Sequence, residues 1–168
     1  MNPVLDEKYI VSLSASIMEI FHDRMSLSID REAYGPTLNE GLCYEYCLKY
    51  NFSGKETGSI FFGMDGYTKI LMLPYIAKSF RLKKIHPEVV EDALLSFFHE
   101  IAALLQIEIV EFESNFKLKK PSDISTKVQR LPTFKYRKYM LIFFLKDPDK
   151  RKYLGRLYCN LVFEKVPD

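Results

Sequence analysis

The sequence predicts an α+β domain in which an antiparallel β-sheet packs against long α-helices. Two kinds of periodicity lead to this class: apolar residues recur at helical spacing in some stretches, and strand-like runs occur in pairs joined by short turns in others. The helical stretches are 6–24, 65–80 and 87–112, and the strand pairs are 42–52 with 59–64 and 137–145 with 153–163. A chain of 168 residues, 48% of them hydrophobic, suits a single domain over residues 1–168.

The N-terminal part of the chain predicts a helix followed by a loop. From Asp6 to about Arg24, apolar side chains recur every three or four residues. Residues 30–41 then contain Pro36, Asn39 and two glycines, which interrupt any regular period. We therefore expect residues 30–41 to form a loop.

The next segment predicts a β-hairpin and a second helix. Large side chains alternate with smaller or polar ones over residues 42–52, which indicates a long, half-buried strand, and residues 59–64 form a uniformly apolar second strand. Asp65 is a suitable N-cap for a helix that runs to about Phe80. Because proline lacks a backbone N–H, Pro74 predicts a kink or an early end of that helix.

The longest predicted helix begins at Pro87, where the missing N–H has no cost, and runs to about Phe112. One broad stripe of its surface is apolar. The residues along one border of this stripe are Ser96, Glu100, Ala103 and Ile107. At about 100° per residue, Glu100 and Ala103 lie about 60° apart, so their side chains face the same partner.

The C-terminal part predicts a second hairpin, with residues 147–150 as its turn. The first strand of this hairpin is apolar on both faces over Leu141 to Leu145. This pattern predicts a position in the middle of the sheet or in a subunit contact.

With these elements in order, the sequence resembles the CheX and CheC group of chemotaxis phosphatases, which hydrolyse the aspartyl phosphate of the response regulator CheY. The motif of this group is an acidic or hydroxyl residue, three residues, Glu, two residues and Asn, on a long helix. Ser96 and Glu100 match this motif, and Ala103 stands where the Asn is expected. The resemblance covers roughly residues 8–163 and includes the strand, turn and helix that begin at Gly58.

The resemblance implies a function and a set of site residues. Glu100 is the retained active-site carboxylate, which engages a lysine of the receiver domain, whereas Ala103 has no polar group to orient the attacking water. The further partner-binding residues are Asp92, Ser96, Ala103 and Ile107. The expected function is to bind a phosphorylated CheY-like receiver domain with weak or lost phosphatase activity, as a homodimer formed by strand pairing and without a cofactor.

The sequence leaves two alternatives open. In the first, the chain is an active phosphatase that orients the water with another residue. The polar neighbours Ser96, His99 and Gln106 offer no obvious substitute, and His99 is expected to be exposed. In the second, the chain is a non-enzymatic, dimeric assembly module that binds other partners through its sheet edge or its basic residues.

Composition argues against several other classes of protein. Residues 1–112 carry 10 basic and 16 acidic side chains and residues 113–168 carry 14 and 6, but neither a basic recognition helix nor an aromatic RNA-binding signature accompanies this asymmetry. No run of about 18 apolar residues predicts a membrane span, so we expect a cytoplasmic protein that binds neither nucleic acid nor membrane. The three cysteines and three histidines show no metal-ligand spacing, which predicts reduced thiols and no metal site.

Overall fold

The computed structural model describes residues 3–37, 41–42, 44–121, 129–130 and 137–164. Its helices are α1 (Pro3–Met25), α2 (Gly66–Ser79) and α3 (Pro87–Val110). Its strands are β1 (Ser28–Pro36), β2 (Gly41–Leu42), β3 (Tyr46–Ser53), β4 (Gly58–Met64), β5 (Lys117–Lys119), β6 (Gln129–Arg130), β7 (Arg137–Asp147) and β8 (Lys152–Phe163).

Six strands form one sheet in the order β1-β7-β8-β4-β3-β5, and β2 pairs separately with β6. Every pairing between these strands is antiparallel. The helices pack on one face of the six-stranded sheet, where alternate side chains of the strands form the hydrophobic core. The predicted α+β class is therefore confirmed.

Both predicted hairpins are present. β3 pairs with β4, and β7 pairs with β8 through the turn that follows Asp147. β7 lies between β1 and β8, which explains why Leu141, Phe143 and Leu145 are buried on the core side while the intervening residues are half-covered. Of the two positions predicted for this strand, the interior of the sheet is the one observed.

The predicted loop is wrong for residues 30–36, because Ser28–Pro36 forms β1 and pairs with β7. β1 is an edge strand, and most of its side chains are exposed. A bulge between Arg31 and Ala33 also shifts its register. An edge strand with an exposed outer side lacks the apolar alternation by which a strand is recognised in a sequence.

The strand predicted over residues 42–52 begins only at Tyr46. Tyr46 pairs with Met64, the last residue of β4, and Asp65 then leaves the sheet to cap α2. Of the described residues of this segment, Tyr44 and Glu45 therefore lie beyond the last pair with β4, and Leu42 belongs instead to β2. Cys43 lies outside the described residues.

The N-cap prediction for α2 is confirmed, because the Asp65 carboxylate accepts a hydrogen bond of 2.6 Å from the Thr68 backbone N–H. Of the two outcomes predicted at Pro74, a kink or an early end, the early end is wrong, since α2 continues through Pro74 to Ser79. Pro74 is exposed, and Ile70, whose carbonyl loses its helical partner, is 62% exposed. Water can satisfy that carbonyl, which reduces the cost of the proline.

α3 begins at Pro87 as predicted, and its apolar stripe faces the sheet and the other helices. The buried residues of this stripe are Val90, Ala93, Leu94, Phe97, Phe98, Ile101, Ala102, Leu105 and Ile109. By length and composition alone α3 is also apolar enough to cross a membrane, which differs from the expectation that no run of the sequence suits a membrane span. Core helices pass the same test, and here the apolar side chains are used in the core.

Candidate functional site

The surface of α3 opposite the core forms a ridge, which we define by the exposed residues Asp92, Ser96, Ala103, Ile107 and Val110. These positions fall within about 60° of one another around the helix. Ile107 is 63% exposed, and the Ser96 hydroxyl donates only to the carbonyl of Asp92, one turn earlier in α3. The four residues predicted to contact a partner therefore all lie at the surface.

Glu100 lies on one flank of the α3 ridge and is paired with Arg24 of α1. The Nε and Nη2 groups of Arg24 each donate to a different carboxylate oxygen of Glu100, which makes the pair bidentate. The side chains are 44% exposed for Arg24 and 30% exposed for Glu100. The pair holds the pKa of Arg24 above its ordinary value, through the hydrogen bond and the charge of Glu100.

A buried aromatic contact one turn away positions this ion pair. The rings of Phe21 and Phe97 lie perpendicular with centroids 4.8 Å apart, and both are fully buried. α1 and α3 run in opposite directions, because Tyr9 near the start of α1 contacts Phe112 just beyond the end of α3, whereas Phe21 near the end of α1 contacts Phe97. Helical side chains tilt toward the N-terminus of their own helix, so those of Arg24 and Glu100 converge from the two sides of the aromatic contact. Because the phenylalanines fix the crossing of the helices, Arg24 and Glu100 meet at the surface.

Arg24 also contacts the end of α2, since its guanidinium lies 5.8 Å from the centre of the Phe80 ring. On the side away from the ridge it borders a cleft of about 460 Å³, whose other basic residues are Lys78, Arg81 and Lys150. An ion pair this exposed contributes about 0–1 kcal/mol to stability. Breaking the Arg24–Glu100 ion pair so that either residue can bind another partner therefore costs little free energy.

Ala103 borders a shallow hollow of about 710 Å³ on the other side of the ridge. The residues that line the hollow with it are Gln106, Ile107, Val110, Glu111 and Lys120. The methyl group of Ala103 offers neither a donor nor an acceptor to this space. A longer polar side chain at position 103 has room to extend into it.

His99 is half-buried, so the prediction that it is exposed is wrong. Its Nδ1 lies 2.7 Å from the hydroxyl oxygen of Tyr50, a fully buried residue of β3, because α3 packs directly on that strand. Burial, with the nearby charge of Lys120, lowers the pKa of His99. By helix geometry His99 lies about 40° around the helix from Ala103 and one turn away. It is therefore a closer neighbour of position 103 than we expected from the sequence.

Gln106 flanks the same hollow and is anchored. Its Oε1 accepts a hydrogen bond of 3.2 Å from the backbone N–H of Leu118, which ties α3 to β5. The amide nitrogen of Gln106 remains available as a donor. The site thus has a carboxylate and an arginine on one flank, and a histidine and a carboxamide on the other.

Sequence reasoning missed Arg24 as a residue of this site. The only local signal was a basic residue in the last turn of α1, which is common because of the helix dipole. The contact with Glu100 spans 76 positions in the sequence and depends on the packing of two helices. Neither periodicity nor motif spacing contains that information.

The lysine groups of the C-terminal third do not form one basic surface. Lys117 and Lys119 lie in β5, at the end of the sheet where β8 finishes, whereas Lys150 and Lys152 lie at the opposite end, around the β7–β8 turn. Among the described residues, no group of three or more His, Cys, Asp or Glu side chains is arranged to hold a metal ion. Cys47 and Cys159 are buried free thiols.

Comparison of the sequence with models of protein families finds no match, and comparison with curated proteins finds none either. Comparison with solved structures finds clear similarity. The chemotaxis protein CheX of Desulfovibrio desulfuricans has a TM-score of 0.70 at 12% identity, over 95% of this chain and 99% of that chain. A CheC-like superfamily protein of Shewanella sp. PV-4 has a TM-score of 0.71 at 14% identity, over 94% and 98%.

A third similar structure is a complex. The CheX–CheY–BeF3–Mg2+ complex of Borrelia burgdorferi matches with a TM-score of 0.61 at 16% identity, over 94% of this chain and 98% of that chain. These similarities extend over nearly the whole of each chain, although few residues are shared. The chain has the fold of the CheX and CheC-like chemotaxis proteins.

Proposed function

We propose that this protein binds a phosphorylated CheY-like receiver domain through the α3 ridge and hydrolyses the aspartyl phosphate weakly or not at all. The observation that carries the proposal is the placement of Glu100 and Ala103 side by side at the surface of α3, on a fold shared with CheX proteins. The Borrelia CheX bound to CheY supports the choice of partner.

The weakness of hydrolysis follows from the chemistry of the reaction. An aspartyl phosphate is an intrinsically labile mixed anhydride, and a protein accelerates its hydrolysis mainly by holding a water in line with the phosphorus. In the group that the sequence resembles, this task belongs to the Asn at the position of Ala103. The loss of one well-aimed polar group costs about 3 kcal/mol of transition-state stabilisation, on the order of a hundredfold in rate.

A second candidate is an active phosphatase in which His99 replaces the missing amide. Two observations favour His99 over other neighbours: its Nδ1 is held by the buried Tyr50, and its lowered pKa favours the neutral imidazole at pH 7. The remaining ring nitrogen, Nε2, is then able to hydrogen-bond a water. This candidate predicts that His99→Phe abolishes hydrolysis while leaving receiver binding intact.

One assay separates the candidates. Receiver domains encoded in the same genome are phosphorylated with acetyl phosphate and Mg2+, and the decay of their phosphate is followed with and without this protein. Binding with an unchanged or slower decay supports the proposal, and faster decay that depends on His99 supports the active phosphatase. No binding to any receiver, phosphorylated or not, contradicts both and favours the assembly module.

A Glu100→Ala variant tests the choice of surface. Because Glu100 is the carboxylate expected to engage the receiver, its removal should weaken binding by at least tenfold. The matched control is Glu19→Ala, an exposed glutamate of α1 that lies about 160° around that helix from Phe21, on the side away from α3. Equal effects of the two substitutions would show that general charge, rather than the α3 ridge, governs binding.

The proposal extends to oligomeric state and location: a cytoplasmic homodimer formed by strand pairing. Of the two edges of the described sheet, β1 offers nine residues and β5 only three. β1 is therefore the edge proposed to pair, although its bulge and its charged side chains are features that oppose edge pairing. Sedimentation equilibrium tests the dimer, and a monomer at every concentration measured would remove this part of the proposal.

A further inference from the structure

The geometry points to Arg24, at the flank of the α3 ridge, as the residue that binds the phosphoryl group of the receiver. Through it this protein distinguishes a phosphorylated receiver from an unphosphorylated one. This inference rests on the proposed function and adds to it the residue that reads the phosphate. It follows from three features of Arg24: its partner, its remaining donors and its surroundings.

The partner of Arg24 is the carboxylate that the receiver is expected to engage. In the free protein both oxygens of Glu100 accept from Arg24. A receiver lysine can approach Glu100 only if it displaces Arg24 or shares the carboxylate with it. Docking therefore changes the environment of Arg24 whatever the detailed pose.

A second cation at this position favours the approach of the phosphoryl group. A phosphoryl group that arrives beside Ala103 carries negative charge and meets the carboxylate of Glu100, which lies about 60° away around the helix and about 4.5 Å along it. The receiver lysine and Mg2+ offset part of the repulsion between these like charges, and the Arg24 guanidinium lowers what remains. The guanidinium already at Glu100 has a further nitrogen, Nη1, that is not used in the bidentate pair, and arginine binds phosphate oxygens with favourable geometry.

The surroundings of Arg24 allow it to change partner. Its side chain is 44% exposed, and its contact with the Phe80 ring, at 5.8 Å, does not involve the donors. The exchange conserves charge pairing: Glu100 passes from Arg24 to the lysine of the receiver, and Arg24 passes from Glu100 to the phosphoryl group. An unphosphorylated receiver supplies only the first half of the exchange and leaves Arg24 without an anion.

The test compares affinities for a receiver with and without a phosphoryl mimic. The receiver domains of the same genome are titrated by calorimetry, each with Mg2+ alone and with Mg2+ and beryllium fluoride, against the wild type, Arg24→Gln and Arg24→Lys. We expect Arg24→Gln to reduce the preference for the beryllofluoride form by at least tenfold. Arg24→Lys should keep part of the preference, because it keeps the charge but loses the planar fork.

The matched control is Lys78→Gln, which removes a cation from the same cleft without touching Glu100. Its preference should equal that of the wild type. If Arg24→Gln keeps the full preference, or if Lys78→Gln loses as much, Arg24 is not the residue that reads the phosphate. If the wild type binds no receiver in either form, the proposed function fails instead, so the two failures are distinguishable.

Discussion

Restoring an amide at position 103 should create phosphatase activity. The substitution Ala103→Asn places a carboxamide on the exposed ridge, at the border of the hollow that Ala103 lines. Because the position is exposed, the change buries nothing and breaks no contact of the core. The expected cost is the difference in helix propensity, about 0.6 kcal/mol or less, so the variant should fold as the wild type does.

The size of the expected increase in the hydrolysis rate follows from the hydrogen bond that the restored carboxamide makes to the attacking water. One well-placed hydrogen-bonding group contributes about 3 kcal/mol to the transition state, which corresponds to an increase on the order of a hundredfold. The assay is the release of inorganic phosphate from a phosphorylated receiver that the wild type binds, measured under single-turnover conditions. Affinity for the beryllofluoride form should change little, since the amide acts on the water rather than on docking.

The matched control is Ile107→Asn, which places the same side chain on the same ridge, about 6 Å farther along the helix. Assayed at a concentration that saturates receiver binding, so that any loss of docking at Ile107 is offset, it should leave the decay of the phosphate unchanged. If Ala103→Asn binds the receiver normally and does not accelerate decay, the missing amide is not what limits hydrolysis. If Ile107→Asn accelerates decay equally, the effect does not depend on the motif position.

Three further predictions concern stability. Phe97→Ala should lower the free energy of unfolding by about 3–5 kcal/mol in urea titrations, because Phe97 is fully buried against the perpendicular ring of Phe21; an effect below 1 kcal/mol would contradict this packing. The Tyr75 hydroxyl and backbone N–H groups hold the pKa of Asp147 below its ordinary value. The resulting stability is present above about pH 3.9 and is lost as pH falls, so Asp147→Asn should flatten the acid limb of a stability–pH curve. The pKa of His99 is lowered by burial, so its contribution to stability is full above about pH 6.5 and decreases as pH falls below that value; His99→Gln should remove that slope, and an unchanged slope would assign it to another group.

The helices and hairpins were predictable because each carries its signal locally. Pro87 marks the start of α3, and an apolar stripe identifies the face that α3 buries. The two hairpins combine alternating or uniformly apolar strands with short polar turns. In these segments local propensity and the final packing agree, which is the condition under which periodicity alone suffices.

β1 was not predictable because its position at the sheet edge removes the signal. A strand with one neighbour and an exposed outer side has no need for apolar alternation, and Gly35 and Pro36 at its end resemble loop residues. Its place in the sheet comes from β7, more than 100 residues later in the chain. A sequence contains no direct record of such a pairing.

The candidate site was predictable only as a position on one helix. The spacing of Ser96, Glu100 and Ala103 correctly places them near one another on the outer side of α3. The state of Glu100 was not predictable, because its ion pair with Arg24 depends on how α1 crosses α3 at Phe21 and Phe97. The environment of His99 likewise depends on the packing of α3 against Tyr50.

The proposal separates docking from hydrolysis, and the structure gives a physical reason why the two can be lost independently. Under this proposal the docking free energy comes mainly from groups other than the side chain at position 103, above all from the charged pair at Glu100 and Arg24, so truncation at position 103 removes little of it. Hydrolysis depends on a group that acts only in the transition state, and at position 103 that group is absent. Binding that stabilises the phosphorylated receiver and its transition state equally leaves the rate of hydrolysis of the bound receiver unchanged. Under this proposal, replacement of Asn by Ala at one exposed position is sufficient to convert an enzyme that ends a phosphorylation signal into a protein that only recognises it.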